Sequence, residues 1–433
     1  MAEPAERDAA RPDPAAPQPA ADAGFLRSLG PGLVTGAADD DPSGIATYSQ
    51  IGAQFGYGLA WTMLFSFPLM AVIQEIAGRI GSVTGRGIAH NLRRHYPRSL
   101  LRIIVLLLVI ANVINLGADL GAMGAAVGLL IGGPTHLYTL LLGVLCIVLE
   151  TFMPYARYAS VLKWATLALF AYVGVVFVAH VDWGLALRGT LVPQFVFDRD
   201  HAMALVAVLG TTISPYLFFW QAGQEVEELQ RRHVKALCIT PRRAGPELRR
   251  IRTDTIFGMA VSNVIAIFII FSTAATLHAS GVTDIQTSSQ AAEALRPIAG
   301  DFAFALFALG ILATGLLAVP VLAGSAAYGV SEVFGWREGL DRRPLEAKGF
   351  YGVIALATLA GAMLNFTSLD PVKALYWAAV VNGVLAAPMM AVMMLIASNP
   401  RIMGRLTLPP AMRVLGWLAT FVMAAASVGF FVI

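Results

Sequence analysis

The sequence predicts an all-α protein that crosses a membrane many times, and three observations support this fold class. First, 57% of the 433 residues are hydrophobic and only 13% are charged, whereas soluble domains carry about 25% charged residues. Second, apolar segments that are long enough to cross a bilayer, about 20 residues each, recur along most of the chain. Third, a proline and small polar residues interrupt the first and the sixth of these segments at matched places.

Eleven spans are predicted, and two of them are broken. In order, they cover residues 31–55 (broken), 58–80, 102–130, 136–153, 160–180, 202–228 (broken), 254–278, 291–322, 349–366, 371–397 and 410–432. The first 24 residues are rich in Ala, Pro and Asp and have no apolar core, so we expect a disordered cytoplasmic tail there. The transmembrane domain is expected over residues 25–433. Cys146 and Cys238 fall in a span and in an inner loop, so no disulfide is expected.

The distribution of basic residues predicts the orientation of the chain. If the N-terminus lies inside, four of the 30 Lys and Arg residues fall on the outer side, namely Arg188, Arg199, Arg296 and Lys373. Basic residues accumulate in cytoplasmic loops, so we expect the N-terminus in the cytoplasm and the C-terminus outside. The short loops and the lack of a recognisable targeting segment lead us to expect a bacterial inner membrane. The basic run between the sixth and seventh spans is interpreted as part of this topology signal and not as a nucleic-acid site.

The two breaks are the candidate functional site. Backbone that leaves a helix inside a membrane must be buried in protein or must line a cavity. Paired broken helices point to the substrate site of secondary transporters, and carboxylates at that depth are costly and therefore expected to be functional. The first break reads GAADDDPSG (36–44) and contains Asp39, Asp40, Asp41, Pro42 and Ser43, and the second reads GTTISPY (210–216) and contains Pro215.

Motifs in and around the breaks resemble the NRAMP family of divalent metal transporters. Residues 41–47 read DPSGIAT, where the family has a DPGN motif, and residues 74–85 read QEIAGRIGSVTG, which is similar to the family's QxLAxRLGxVTG. Asp119 and Leu120 resemble the start of DLAEVIG, and residues 397–404 resemble TSxxxxMG. The resemblance implies a LeuT-type fold, with inverted repeats over about 31–180 and 202–397, an added helix over about 410–432, and a substrate site between the broken spans.

The resemblance also implies a metal site, from which this sequence departs. The family's ligands are the Asp and Asn of DPGN and the Met of an MPH motif in the sixth span. Asp41 keeps the Asp, but Gly44 stands at the Asn position, Ser214 at the Met position and Tyr216 at the His position. The ninth span contains no arginine, although the family's proton route uses basic groups there. The resemblance therefore implies that much of the proton route is lost, and Asp119 is the remaining candidate for it.

Loss of the thioether changes the metal that we expect. A Met sulfur favours soft transition metals, whereas Ser214 can offer only a hydroxyl or a carbonyl. Asp41, Ser214, freed carbonyls near Thr211 and waters would form an all-oxygen site, which suits Mg²⁺, Ca²⁺ or Mn²⁺. Asp39 and Asp40 add negative charge. We therefore expect a transporter of hard divalent cations that works by alternating access with weak or absent proton coupling, and the cation is its substrate and not a cofactor.

Each candidate residue also has a structural interpretation. Asp39 or Asp40 could cap the second half-helix, and Ser214 could bond to its own helix backbone. Asn382, in the tenth span, could bind substrate or make an interhelical hydrogen bond, and Asp119 could serve a helix contact. The acids at the inner end of the sixth span are interpreted as solvated, namely Glu225, Glu227 and Glu228.

A second function stays open at this stage. The same scaffold could carry bicarbonate or a small organic acid, because helix N-termini favour anions, and Asp41 would then bind a coupling ion. A sensor is less favoured because we find no signalling domain in the sequence. An enzyme is not expected, since no nucleophile, cofactor loop or metal-hydrolase spacing is recognisable. The expected partners are the divalent cation and the lipid bilayer, and the sequence leaves the oligomeric state open.

Overall fold

The computed structural model describes residues 31–153, 166–366 and 370–432, and these residues form helices joined by short loops. The first half contains α1 (Pro31–Asp39), α2 (Pro42–Phe55), α3 (Trp61–Thr84), α4 (Ile88–His95), α5 (Arg98–Ile131), α6 (Thr135–Phe152), α7 (Phe170–Val178) and α8 (Trp183–Leu191). The second half contains α9 (Arg199–Thr212), α10 (Pro215–Arg231), α11 (Pro241–Thr273), α12 (Ser288–Glu293), α13 (Arg296–Ala299), α14 (Ala303–Phe334), α15 (Lys348–Leu364), α16 (Pro371–Ala397), α17 (Pro400–Met403) and α18 (Pro410–Val432).

The predicted spans correspond closely to these helices. Within the described residues, eight helical segments are long and apolar enough to cross a membrane. The first predicted span is the pair α1 and α2, and the ninth is α15, which is shorter at 17 residues. The fifth predicted span, 160–180, lies partly outside the described residues and is represented by α7. The predicted tail over residues 1–24 lies outside them entirely.

Two predicted boundaries are wrong because charged side chains find partners within the protein, so the helices continue past the apolar segments. Helix α11 begins at Pro241 and not near residue 254, so basic residues that we assigned to a loop lie on a helix. There, Glu247 accepts hydrogen bonds from Arg232 and Arg250 at 3.0 Å each. The eighth predicted span was expected to end at 322, but α14 continues to Phe334. Its polar last turns are buried, and Glu332 accepts a hydrogen bond from the His90 N–H at 3.0 Å.

The first half-helix, α1, is held close to α11 by small residues. A side chain at Gly32 would approach the Thr255 nitrogen to 2.7 Å, and a side chain at Gly36 would overlap the backbone of Gly258. Glycines at such positions let two helix backbones pack closely. The Gly32 N–H also donates to the Asp254 carboxylate at 2.7 Å, which fixes the start of α1 on α11. This contact determines where the first break lies in the fold.

Candidate functional site

Both breaks are short, and each ends at a proline. The chain leaves helical geometry at Asp40 and Asp41, between α1 and α2, and again at Ile213 and Ser214, between α9 and α10. Pro42 and Pro215 each occupy the first position of the second half-helix. A helix start suits proline because the N–H that proline lacks would have no partner there. Pro42 and Ser43 were predicted inside the first break, but the structure shows them as the first residues of α2.

Asp41 joins the first break to the second. Its Oδ1 accepts a hydrogen bond from the Gly44 N–H at 2.7 Å, so Asp41 caps the N-terminus of α2. Its Oδ2 accepts a hydrogen bond from the Tyr216 hydroxyl at 2.9 Å, and Tyr216 lies in the first turn of α10. The cap is therefore Asp41 and not Asp39 or Asp40, which we had considered for this role. A single carboxylate connects the two half-helices that follow the breaks.

Asp39 and Asp40 share one hydroxyl group. The Ser262 hydroxyl on α11 lies 2.8 Å from Asp39 Oδ2 and 3.0 Å from Asp40 Oδ1. A hydroxyl carries one proton and can donate to only one of these oxygens at a time. The second oxygen of Asp39 is buried and has no hydrogen-bond partner among the described residues. Asp39 and Asp40 therefore place carboxylate oxygens that lack a full set of hydrogen-bond donors directly before Asp41.

Ser214 directs its hydroxyl back into its own half-helix. Its Oγ lies 2.9 Å from the carbonyl oxygens of both Gly210 and Thr211, so the Thr211 carbonyl that we considered as a free ligand can accept from Ser214. The Ser214 carbonyl accepts a hydrogen bond from the Leu217 N–H at 3.2 Å. Ser214 makes no side-chain cap on α10. The first turn of α10 is therefore left without a side-chain acceptor from the residue that precedes it.

Helix α5 contributes two of the predicted residues through different contacts. Asn115 on α5 and Asn382 on α16 exchange two hydrogen bonds, at 2.8 and 3.0 Å, so Asn382 makes an interhelical contact. Asp119 lies one turn further along α5, and both of its buried carboxylate oxygens have no hydrogen-bond partner within the described part of the chain. Asp119 lies within electrostatic range of the Asp41 carboxylate and close to the Ser43 backbone N–H. The structure thus brings Asp119, but not the amide of Asn382, into electrostatic contact with the first break.

Sequence reasoning missed two residues beside the first break. Ser262 was not singled out because serines in membrane helices commonly bond to their own backbone. Met123 is fully buried, and its side chain packs with Pro42 against Gly315. Met123 follows Asp119 by four residues and therefore shares its helix face. That spacing was the one available signal for a sulfur atom near the first break.

Two of the three acids near the C-terminal end of α10 are buried, which corrects the expectation that they are solvated, whereas Glu228 is half-buried. Glu225 is fully buried and pairs with Arg250 on α11 at 2.6 Å. Glu227 is 6% exposed and accepts hydrogen bonds from the Tyr328 hydroxyl and from the Leu340 N–H. These partners lie on α11, on α14 and in the loop before α15. Their contacts fix the inner end of the second half-helix against the rest of the protein.

The residues at the breaks are shielded from solvent. Asp39, Asp40, Asp41 and Ser214 are at most 3% exposed. In the described ranges, no group of three His, Cys, Asp or Glu side chains converges as a metal site. Asp39 and Asp40 both contact Ser262, whereas Asp41 contacts Gly44 and Tyr216, so the three carboxylates do not converge on one point in this conformation. A ligand can reach them only after the half-helices rearrange.

Solved structures show the same arrangement of helices. The crystal structure of the manganese transporter of Eremococcus coleocola has a TM-score of 0.75 at 15% identity and covers 95% of this chain and 87% of that one. The inward-facing conformation of Mhp1 has a TM-score of 0.52 at 15% identity, over 92% of this chain and 90% of that one. At these identities the likeness concerns the fold alone. The fold and the paired breaks define a multi-pass, all-helical membrane protein with a LeuT-type fold, as predicted.

Within this class, the chain belongs to the Nramp family, because the family model described as natural resistance-associated macrophage protein-like matches residues 32–433. Members of the family are transporters and not enzymes. A relative from Verminephrobacter eiseniae is 25% identical over 293 residues, which are 66% of this chain and 64% of that protein. A relative from Klebsiella pneumoniae is 26% identical over 408 residues, or 91% of each chain. Both relatives are named divalent metal cation transporter MntH. The match to the first relative thus spans slightly less than two thirds of that protein's length.

Proposed function

We propose that the protein transports a hard divalent metal cation, such as Mg²⁺ or Mn²⁺, by alternating access with weak or absent proton coupling. Two relatives carry the name of divalent metal cation transporters, which supports a metal substrate. In this proposal the protein lies in a bacterial inner membrane, with its N-terminus in the cytoplasm and its C-terminus outside. The observation that carries the proposal is the position of Asp41, whose carboxylate contacts both half-helices.

The atoms around Asp41 favour a hard ion. The Tyr216 hydroxyl lies 2.9 Å from Asp41 Oδ2 and 3.4 Å from the Ala38 carbonyl oxygen, so a cation that displaces this hydroxyl would meet two oxygen atoms. Asp39 and Asp40 add two carboxylates immediately before it. Carboxylates, hydroxyls and carbonyls are ligands for Mg²⁺, Ca²⁺ and Mn²⁺. Mg²⁺ usually keeps several waters and needs few protein ligands, which fits a site centred on one carboxylate.

The same contacts supply a mechanism for alternating access. A cation that binds Asp41 competes with the Tyr216 hydroxyl for Oδ2. Loss of that hydrogen bond frees the first turn of α10 from the first break, so cation binding changes the relative stability of two conformations. Opening of the inner side would in addition require the Glu225–Arg250 ion pair, 2.6 Å long in this conformation, to separate. Substrate binding and half-helix movement would be coupled through these two contacts.

The proposal of weak proton coupling rests on the basic and acidic side chains of α15 and α5. Helix α15 carries no arginine or histidine between Lys348 and Leu364. On α5, Asp119 has no hydrogen-bond partner for either carboxylate oxygen among the described residues. In this proposal Asp119 would accept a proton at the site, but after Lys348, its first residue, α15 offers no basic side chain to carry it further. Protons would then move with the cation rarely or not at all.

The test is ion uptake into proteoliposomes that contain the purified protein and a pH reporter inside. We expect saturable uptake of Mg²⁺, Mn²⁺ or Ca²⁺ that Asp41→Ala abolishes. Asp301→Ala, which removes an exposed carboxylate far from the breaks in the sequence, is the matched control and should keep wild-type uptake. Absence of divalent uptake in tight vesicles, or uptake that survives Asp41→Ala, would contradict a cation site at Asp41. A change of internal pH in fixed proportion to cation flux would contradict weak coupling.

A second candidate function has one observation in its favour. The N-terminus of α10 has no side-chain cap, because the Ser214 hydroxyl points back to α9. Helix N-termini bind anions, so bicarbonate or a small carboxylate could occupy this position while Asp41 holds a coupling Na⁺ or proton. The N-terminus of α2, by contrast, is already capped by Asp41. Uptake of labelled bicarbonate or succinate that depends on Na⁺ or pH, without divalent uptake, would support this second function.

A further inference from the structure

A cavity of about 600 Å³ lies where the inner ends of several spans meet. Three segments form its walls: residues 84–95, which include most of α4; residues 226–239, at the end of α10 and in the following loop; and residues 401–402 in α17. Its volume falls in the range of about 300–1,000 Å³ that is typical of small-molecule sites. The charged and imidazole side chains of its lining are Arg86, His90, Arg94, His95 and Arg401.

The cavity has an excess of positive charge. None of the lining residues in the described part of the chain is Asp or Glu. Arg94 and Arg401 make no salt bridge within 4.0 Å to any described residue. Arg86 lies within electrostatic reach of Glu338, so Arg94 and Arg401 supply most of the uncompensated charge. The cavity therefore lacks an internal counter-ion.

The positive potential acts on His90, one of the two histidines in the wall. Burial, together with the charges of Arg86, Arg93 and Arg94, lowers the pKa of His90 to about 4, so its ring is neutral at pH 7. The N-terminus of α4 already has a carboxylate partner, because the His90 N–H donates to Glu332. The basic side chains are therefore not needed to cap that helix.

A topology signal does not explain this arrangement by itself. The positive-inside rule requires basic residues on the cytoplasmic side, and many arginines of this chain satisfy it. The rule does not require residues from three distant segments to line one concave surface. The concentration of unpaired guanidinium groups in a cavity is a feature of anion recognition.

We propose that this cavity binds a phosphate group, supplied either by the headgroup of an anionic phospholipid or by a free phosphate compound. Guanidinium groups match phosphate oxygens in geometry and charge, and basic pockets at the cytoplasmic side of membrane helices accept anionic headgroups. Val226 and Gln230 on α10 belong to the wall. A bound phosphate would therefore bridge the second half of the broken sixth span to α4 and α17. This binding does not depend on which substrate the protein carries.

The thiol of Cys238 can report whether this cavity is occupied. Cys238 is exposed and lines the cavity, whereas the second cysteine of the chain, Cys146, is buried. The rate of Cys238 alkylation by N-ethylmaleimide therefore reports occupancy. It would be measured in phosphatidylcholine nanodiscs with and without inorganic phosphate at constant ionic strength, and in nanodiscs with one third phosphatidylglycerol. At a ligand concentration of ten times Kd, mass action predicts a rate about elevenfold lower.

Two double variants separate a specific site from a general surface-charge effect. Arg94→Gln with Arg401→Gln removes charge from the cavity, and Arg242→Gln with Arg249→Gln removes equal charge from exposed positions on α11 that do not line it. We expect the first pair to abolish the protection and the second pair to retain it. Protection by phosphatidylglycerol alone identifies a lipid headgroup, and protection by inorganic phosphate identifies a soluble ligand. No protection of the wild type, or equal protection of the cavity pair, would overturn the proposal.

Discussion

Replacement of Tyr216 by phenylalanine tests whether Asp41 exchanges an internal partner for a cation. The substitution removes one hydroxyl group and keeps the aromatic ring that packs in the first turn of α10. The lost contacts are the 2.9 Å hydrogen bond to Asp41 Oδ2 and the longer 3.4 Å approach to the Ala38 carbonyl. Tyr216 is 1% exposed, so water does not readily replace the hydroxyl while the site is closed. We expect Tyr216→Phe to raise the affinity of the protein for its cation.

The magnitude follows from the competition at Oδ2. A hydrogen bond to a charged group contributes about 1.5–3 kcal/mol. In the wild type, a cation must break this bond before it can bind, so its apparent affinity is reduced by that amount. Each 1.4 kcal/mol corresponds to about a factor of ten in Kd. The Kd for Mg²⁺ or Mn²⁺ should therefore fall by about ten- to a hundredfold in the variant.

Equilibrium binding measured by isothermal titration calorimetry, on protein in nanodiscs, gives this Kd directly. Tyr376→Phe on α16 is the matched control, because the Tyr376 hydroxyl is buried without a hydrogen-bond partner among the described residues. The control makes the same chemical change and should leave the Kd within about twofold. It also reports any general effect of a lost phenol on folding.

Two outcomes would refute the reasoning. A higher Kd in Tyr216→Phe would mean that the phenol oxygen is a ligand and not a competitor. An unchanged Kd, with the control also unchanged, would mean that the cation does not bind at Asp41 Oδ2. Either result would require a different account of how the first break recognises substrate.

Three further predictions concern other parts of the fold. Asn382→Leu should lower the free energy of unfolding by about 1–3 kcal/mol in thermal-denaturation measurements, because the buried side-chain oxygen of Asn115 loses its donor. The double change to leucine should recover part of this loss. Met123→Leu should leave the ratio of Mg²⁺ to Cd²⁺ uptake unchanged within about twofold, because an oxygen-only site does not use the thioether; a selective loss of Cd²⁺ uptake would show that it does. The pKa of His90 is lowered from 6.5 to about 4, so its stabilising contribution is complete above pH 6.5 and is lost as the pH falls toward 4. His90→Gln should flatten the melting temperature across that interval, and an unchanged pH profile would contradict this.

The membrane fold could be predicted from the sequence because its signals are local. A run of apolar residues indicates a span wherever it occurs, and a proline inside such a run lacks the N–H that continues a helix. Both breaks therefore appeared at the expected places, next to Pro42 and Pro215. Helix ends were predicted less well, since the hydrogen bonds of Glu247 and Glu332 allow α11 and α14 to extend beyond the apolar segments.

The sequence predicted which residues form the candidate site but not which of them contact one another. The carboxylates of Asp39, Asp40 and Asp41 and the hydroxyl of Tyr216 are visible in the sequence beside the two prolines. Their partners are not visible, because Tyr216 lies 175 residues after Asp41 and Ser262 lies 223 residues after Asp39. The Asp41–Pro42 pair is a local signal for the cap of α2, but no local pattern records which two acids share a serine.

The sequence by itself thus determined an all-helical membrane protein with two broken spans and acidic residues at the first break, because hydropathy and helix-breaking residues act over a few neighbours. The tertiary structure alone decided that Asp41 contacts Tyr216, that Asn382 pairs with Asn115 and that Glu225 is buried against Arg250. The physical reason is that a buried polar group must find a hydrogen-bond partner. Which partner it finds depends on how distant helices pack, and packing is a property of the whole fold.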